Sequence, residues 1–121
     1  MEDKKTMVLI ASHKSDRYSY RALNMLMDHD VPVVAIGRRP EVVRGIQYMT
    51  GQPMVDEIHT ITLYLNPTNQ LPFYDYILKI RPKRVIFNPG TENRELQNLL
   101  NGHQIQWEES CTLVLLASNQ F

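Results

Sequence analysis

A short apolar run near the start of the chain ends abruptly in small and polar residues. Met7–Ala11 contains no polar side chain, whereas 12–17 holds two serines, a histidine and three charged residues. A strand covered on only one face would alternate apolar and polar residues, so the uninterrupted run indicates a strand buried on both faces. From Tyr18 onward the apolar residues recur at helical spacing. This succession is typical of α/β domains that hold a phosphate at a helix N-terminus.

The length and charge of the chain limit what it can be. Its 121 residues suit one domain, and we expect a single domain over residues 1–121. The hydrophobic fraction of 43% and the charged fraction of 21% are ordinary for a globular protein. The net charge is zero, so no overall field favours nucleic acid or an anionic membrane. Any anion site must therefore consist of a few local cations.

Cysteine content and the N-terminal segment indicate the compartment. Cys111 is the only cysteine, which excludes an intrachain disulfide and fits a reducing cytoplasm. The segment Glu2–Lys5 leads into five or six apolar residues, fewer than a signal-peptide core needs. No run approaches the roughly 18 residues that span a membrane. We therefore expect a cytoplasmic protein without a membrane segment.

Strand and helix patterns alternate along the rest of the chain. Strands are predicted at 7–11, 33–36, 57–65, 84–87 and 104–107, and helices at 18–29, 71–80 and 92–100. Thr91 is the expected cap and Gly102 the expected stop of the last of these helices. Residues 41–55 are interpreted as a short helical turn plus loop, and 112–117 as helix or strand. The alternation predicts an α/β domain, a doubly wound parallel sheet with helices on both faces.

Two polar loops are the first candidates for a binding site. In open doubly wound sheets a ligand binds past the carboxyl ends of the strands, where the strand order reverses. With the first strand central, this crevice lies between the first and the fourth strand, and the loops 12–18 and 88–91 meet there. Both precede helices, so both can offer backbone N–H groups to a phosphate. Lys14 and Arg17 add positive charge, although a solvated loop that binds nothing has the same composition.

The end of the second strand narrows the class of ligand. A domain that binds NAD places an acidic residue there for the ribose 2′-hydroxyl, but this chain has Gly37, Arg38 and Arg39. Two arginines favour a ligand with an extra phosphate on the ribose, such as NADP or coenzyme A, unless they are ordinary surface residues. The loop at 10–15 contains no glycine, which sets aside the standard NAD(P) dehydrogenase fingerprint.

Four motifs carry a resemblance over nearly the whole chain: Ala11-Ser12, Arg17–Arg21, Asn88–Asn93 and Glu109–Thr112. In this order they resemble the small single-domain bacterial CoA-binding proteins, which are related to the CoA-binding domain of succinyl-CoA synthetase. The resemblance implies a five-stranded Rossmann-like sheet of order 3-2-1-4-5 that is a nucleotide-binding module. The implied binding residues are Ala11, Ser12, His13, Lys14, Arg17 and Tyr18 on the phosphate side, Gly37, Arg38 and Arg39 at the adenosine end, and Tyr64, Asn66, Asn88, Pro89 and Gly90 at the mouths of the third and fourth strands.

Two features of the chain bear on that resemblance. Ile10 stands where the family usually has glycine, and its side chain either blocks close approach of a pyrophosphate or turns into the core. The phosphorylated histidine of the synthetase belongs to a separate domain that this chain lacks, so no catalytic residue is carried over. Cys111 is interpreted as a packed structural thiol, the alternative being a thiol that forms a mixed disulfide with CoA.

Three functions remain open from the sequence. The first is a module that binds CoA or an acyl-CoA and performs no chemistry. The second is an NADP-dependent enzyme, for which Tyr64 or His13 would be the proton donor. The third is a scaffold in which Ile10 closes the site and a homodimer or protein partner provides the specific contact. The four histidines have no metal-ligand spacing, so no metal site is predicted.

Overall fold

The fold is described from a computed structural model of residues 4–121. Glu2 and Asp3, which belong to the N-terminal segment considered above, lie outside the described residues. In the described part no helix is both long and apolar enough to cross a membrane. The elements in chain order are β1 (Thr6–Ala11), α1 (Tyr18–Asp28), β2 (Val33–Gly37), β3 (Val42–Val43), β4 (Ile46–Gln47), β5 (Thr60–Leu63), α2 (Pro67–Gln70), a 3-10 turn (Leu71–Phe73), α3 (Tyr74–Ile80), β6 (Arg84–Phe87), α4 (Arg94–Gly102), β7 (Gln106–Glu109) and α5 (Thr112–Ala117).

Five parallel strands form the main sheet in the order β2-β1-β5-β6-β7. The predicted α/β class and the five-stranded parallel sheet are confirmed. If only these five strands are counted, in chain order, the order is 2-1-3-4-5, which differs from the expected 3-2-1-4-5. The third strand, β5, is buried at all four residues, and a strand of that kind takes an interior place beside β1 instead of the sheet edge. The point where the strand order reverses therefore lies between β1 and β5.

Each face of the sheet carries its own core. Met7 and Leu9 point into a cluster with Ile77 of α3 and with Leu96 and Leu100 of α4. Val8 points to the opposite face, where the second cluster includes Leu23 and Leu26 of α1 and Leu116 of α5. The expectation that the first strand is buried on both faces is confirmed, because successive side chains of a strand point to opposite sides.

The segment 41–55 differs most from its interpretation as a short helical turn plus loop. β3 and β4 form an antiparallel hairpin, with Val42 opposite Gln47. Arg44 and Gly45, which join them, both have positive φ, and two such residues in succession favour a hairpin turn and are incompatible with a helix. Met49 then runs beside β2 and accepts a hydrogen bond from Gly37 N–H at 2.8 Å. The segment therefore covers the outer edge of β2.

Other boundaries shift for local reasons. Asn93 caps α4 through its side-chain oxygen, while the hydroxyl of Thr91, the expected cap, donates to Asn88 O. Gly102 is the last residue of α4, and the left-handed conformation that ends the segment belongs to Gln104. The helix predicted at 71–80 consists of the 3-10 turn and α3, and the separate turn α2, capped by Asn66, precedes it. The ambiguous last segment is the helix α5.

Gly37 lies directly under the ring of Tyr48, the residue that follows the hairpin. A Cβ at position 37 would lie 2.9 Å from Tyr48 Cδ2 and within 3.3 Å of the carbonyl oxygens of Arg39 and Ala11. No side chain larger than that of glycine fits this contact without movement of its neighbours. The close approach of Tyr48 therefore depends on glycine at the end of β2.

Replacement of Gly37 by alanine is expected to destabilise the fold. Overpacking of a filled interior costs about 1–3 kcal/mol, so the free energy of unfolding of Gly37→Ala should fall by that amount in urea denaturation. Gly102→Ala is the matched control, because a Cβ there meets nothing within 4 Å and the helix gains a better helix former. Wild-type stability of Gly37→Ala would contradict the packing of Tyr48 on this glycine.

Candidate functional site

A cavity of about 710 Å³ lies at the carboxyl ends of the central strands. Its walls come from the loops that follow β1, β2, β5 and β6, so it occupies the point where the strand order reverses. The size lies within the range of cofactor-binding clefts. The crevice was expected between the first and the fourth strand, but the reversal lies between the first and the third, so the loop after β5 stands between the two predicted loops.

Most of the candidate binding residues reach this cavity. The twelve that line it are Ala11, Ser12, His13, Lys14, Arg17, Tyr18, Arg38, Arg39, Tyr64, Asn66, Pro89 and Gly90. Gly37 and Asn88 do not line it. The lining residues that the sequence reasoning did not select as binding residues are Ile10, Ser19, Glu41, Tyr48, Leu65, Asn69 and Thr91. Which of these residues contact a ligand stays a prediction.

The loop after β1 is held by hydrogen bonds to its own side chains and to Tyr48. Ser12 N–H donates to Ser19 Oγ at 3.0 Å, and Lys14 N–H donates to Ser12 Oγ at 3.1 Å. The Tyr48 hydroxyl donates to Ser12 O at 2.9 Å. These bonds fix the loop over the cavity before any ligand binds. Tyr48 could not be predicted for this role because its segment was interpreted as a turn and loop.

The N-terminus of α1 opens toward the cavity without a side-chain cap. Arg17 is the N-cap residue, and its side chain makes no capping hydrogen bond. The first helical bond runs from Arg21 N–H to Arg17 O at 3.1 Å, so the preceding N–H groups of residues 18–20 have no partner within the helix. By contrast, α4 is capped by Asn93. Unpaired N–H groups and the helix dipole together favour an anion at this end.

The loop after β6 was predicted to offer a second set of free N–H groups, but its N–H groups at Gly90 and Thr91 are bonded within the loop. Gly90 N–H donates to Glu92 Oε1 at 2.9 Å, and Thr91 N–H donates to Asn88 O at 2.9 Å. The helix α4 begins only at Arg94, three residues beyond the cavity wall. Anion binding through backbone N–H groups therefore rests on the loop after β1 and the start of α1.

Asn88 is buried and uses its whole amide inside the protein. Its Nδ2 donates to Thr62 Oγ1 at 2.7 Å and to Leu63 O at 2.8 Å, and its Oδ1 accepts from Thr112 N–H at 2.9 Å. The side chain therefore joins the ends of β5 and β6 to the start of α5. Asn88 does not line the cavity and donates both amide hydrogens within the protein, so its assignment as a ligand-binding residue stays a prediction.

Positive charge surrounds one end of the cavity. Within residues 4–121, none of Lys14, Arg17 and Arg38 forms an ion pair. Arg39 differs, since its Nε lies 3.2 Å from Glu41 Oε1 and its guanidinium contacts the ring of His13. The opposite end, formed by the loops after β5 and β6, contributes only uncharged lining residues. The cavity thus has a cationic end and a neutral end.

The Tyr64 hydroxyl keeps its proton at neutral pH. Burial raises the pKa of Tyr64 to about 12, although the neighbouring hydroxyls of Thr62 and Thr112 act in the opposite direction. General acids work best with a pKa near the working pH, so this phenol is poorly matched to proton donation. Burial likewise raises the pKa of Tyr48 to about 12, which preserves its hydroxyl as a hydrogen-bond donor.

Ile10 is half-buried and lies between the core and the cavity. The register of β1 shifts between Leu9 and Ala11, and Ile10 lies at this irregularity. Its side chain packs against the core cluster on the α3 and α4 face and also lines the cavity. The cavity of about 710 Å³ is present together with the Ile10 side chain. Cys111, which precedes α5, does not line it.

The chain is similar in sequence to a known domain family and in structure to several solved proteins. A family model described as a CoA binding domain matches residues 4–117. The crystal structure of an uncharacterized protein shares 42% identity, covers 100% of both chains and has a TM-score of 0.95. A comparison with curated proteins gives no match.

Two more distant structures share the fold. A protein from Thermus thermophilus is 17% identical with a TM-score of 0.87, and the alignment covers 98% of this chain and 91% of that one. A hypothetical protein from Pyrococcus horikoshii OT3 is 22% identical with a TM-score of 0.81, over 98% of this chain and 83% of that one. At these identities the likeness concerns the fold alone.

Replacement of Asn88 by aspartate should destabilise the protein even without ligand. A carboxylate cannot donate to Leu63 O, and a buried charge without a cationic partner is costly, so a loss of about 2–4 kcal/mol is expected in urea denaturation. Asn101→Asp is the matched control, since the Asn101 side chain is exposed and its Oδ1 only accepts, from Trp107 Nε1 at 2.9 Å. An Asn88→Asp variant as stable as the control would contradict the structural role of this amide.

Proposed function

The chain belongs to the CoA binding domain family, and from this premise we propose that it binds CoA or an acyl-CoA in the cavity and performs no chemistry of its own. The observation that carries the proposal is the uncapped N-terminus of α1, which opens into the cavity beside Lys14 and Arg17. An anion at that place would receive both backbone N–H groups and positive charge.

The distribution of charge supports one orientation of the ligand. The diphosphate would lie at the start of α1, where the unpaired N–H groups of residues 18–20 are. The phosphate on the adenosine ribose would lie near Arg38 and Arg39, which follow β2. The uncharged pantetheine arm would then extend along the neutral wall, past Tyr64 and Pro89. Each part of CoA thus meets a wall of matching polarity.

The absence of chemistry is proposed from the state of the two candidate proton donors. The pKa of Tyr64 is about 12, far above the range in which a general acid is effective at neutral pH. The ring of His13 contacts the guanidinium of Arg39 and lies 4.0 Å from the Glu41 carboxylate, so it is engaged within the protein. An NADP-dependent enzyme and a scaffold that acts through protein contacts stay as alternatives, so NADP is one of the ligands to be titrated.

Isothermal titration with CoA, dephospho-CoA, NAD and NADP tests the proposal. Wild type should bind CoA more tightly than dephospho-CoA. Removal of both guanidinium groups in Arg38→Ala/Arg39→Ala should weaken CoA about 10- to 100-fold, because a charge-assisted hydrogen bond contributes about 1.5–3 kcal/mol. Dephospho-CoA, which lacks the ribose phosphate, should bind the variant as it binds wild type.

Arg44→Ala is the control for the loss of a surface guanidinium. Arg44 pairs with Asp28 at 2.9 Å and does not line the cavity, so CoA affinity should be unchanged. Equal loss of CoA and dephospho-CoA in the double variant would show that the two arginines do not bind the ribose phosphate. Wild type that binds NADP but not CoA would favour the enzyme, and no binding of any of the four would overturn the proposed function.

A further inference from the structure

Glu41 brings a carboxylate into the cationic end of the cavity. Among the lining residues of the described chain it is the one acidic side chain, and it stands on the same segment as Arg38 and Arg39. A negative charge is unexpected in a wall that otherwise attracts phosphates. Phosphate binding alone gives no reason for a carboxylate at this place.

The carboxylate of Glu41 is held in a defined position. Its Oε1 lies 3.2 Å from Arg39 Nε and 4.0 Å from His13 Nδ1. Its backbone oxygen accepts from Tyr48 N–H at 2.7 Å, which ties the residue to the end of the hairpin. The side chain is 32% exposed and lines the cavity, so these contacts position it without burying it completely. A positioned, partly desolvated carboxylate is suited to the recognition of a hydroxyl donor.

Glu41 also changes which arginine is available to a phosphate. The charge of Arg39 is partly compensated by this carboxylate, whereas Arg38 has no ion pair within residues 4–121. A phosphate on the ligand would therefore pair with Arg38 at lower cost than with Arg39. Among the described residues, the cationic end of the cavity then offers one cation without an ion pair, Arg38, and one anion, Glu41.

We propose that Glu41 determines where on the ribose a phosphate is accepted, an inference that rests on the proposed function. A ligand phosphorylated at the 3′ position keeps a free 2′-hydroxyl, which would donate to the Glu41 carboxylate while the phosphate pairs with Arg38. A phosphate at the 2′ position would face the carboxylate, and like charges brought together at a binding site strongly oppose binding. The same physical reasoning explains why acidic residues after the second strand select an unphosphorylated 2′-hydroxyl.

Two isomeric ligands test the effect of phosphate position separately from the effect of total charge. Adenosine 3′,5′-bisphosphate and adenosine 2′,5′-bisphosphate have the same composition and charge and differ only in the position of one phosphate. Isothermal titration of wild type should show at least about tenfold tighter binding of the 3′ isomer. Glu41→Gln should reduce this ratio to about threefold or less, mainly by tighter binding of the 2′ isomer, because the variant removes the repulsion and frees Arg39.

Two further variants serve as controls. Asp28→Asn removes a carboxylate from the other arginine pair, Asp28 with Arg44, which lies outside the cavity, so the ratio should stay that of wild type. Glu41→Asp keeps the charge and should keep the discrimination, which protects the test if Glu41→Gln fails to fold as judged by circular dichroism. CoA is titrated alongside both isomers in every case.

The outcomes distinguish the two proposals. Wild type that binds CoA but shows no preference between the isomers, or binds neither of them, overturns the role of Glu41 and leaves the proposed function standing. An unchanged ratio in Glu41→Gln overturns that role as well. Wild type that binds neither CoA nor either isomer overturns both proposals.

Discussion

The burial of β1 on both faces is the constraint from which the rest of the architecture follows. Met7 and Leu9 fill one core and Val8 the other, so neither face of the strand can meet water. A strand of this kind needs a layer of helices on each side, and parallel strands need long connections that supply them. The loops at the carboxyl ends of the strands then converge over β1 and β5, and the cavity forms where they separate.

Polar groups around the cavity fall into two sets with different uses. One set is bonded internally: Gln70, for example, donates to both Leu65 O and Thr91 O at 2.8 Å and so joins the loops after β5 and β6. Tyr48 does the same for the loop after β1. The other set, the N–H groups at the start of α1 and the side chains of Lys14, Arg17 and Arg38, has no ion-pair or helix partner among residues 4–121. A rigid frame with unpaired charges at its opening is a preorganised anion site, which lowers the entropic cost of binding.

Sequence reasoning succeeded where the signal is local. The β1 loop and the start of α1 follow one another in the chain, so their relation was visible without knowledge of the fold. The place of β5 beside β1 in the sheet could not be predicted in this way, since strand order depends on packing between distant segments. Asn88 shows a further limit, because the same residue at the end of a strand can face a ligand or bond inward to Thr62. Glu41 was missed because the hairpin that positions it depends on positive φ at Arg44, which its sequence does not signal.

The most direct test of the account is an NMR titration of the backbone amides with CoA. The diphosphate is assigned to the start of α1, so the amide signals of residues 18–20 should shift strongly as CoA is added. Those of Gly90 and Thr91, which are already bonded within their loop, should move much less. Large shifts at Gly90 and Thr91 with none at residues 18–20 would contradict the site described here, and no shift at either loop would show that CoA does not bind in this cavity.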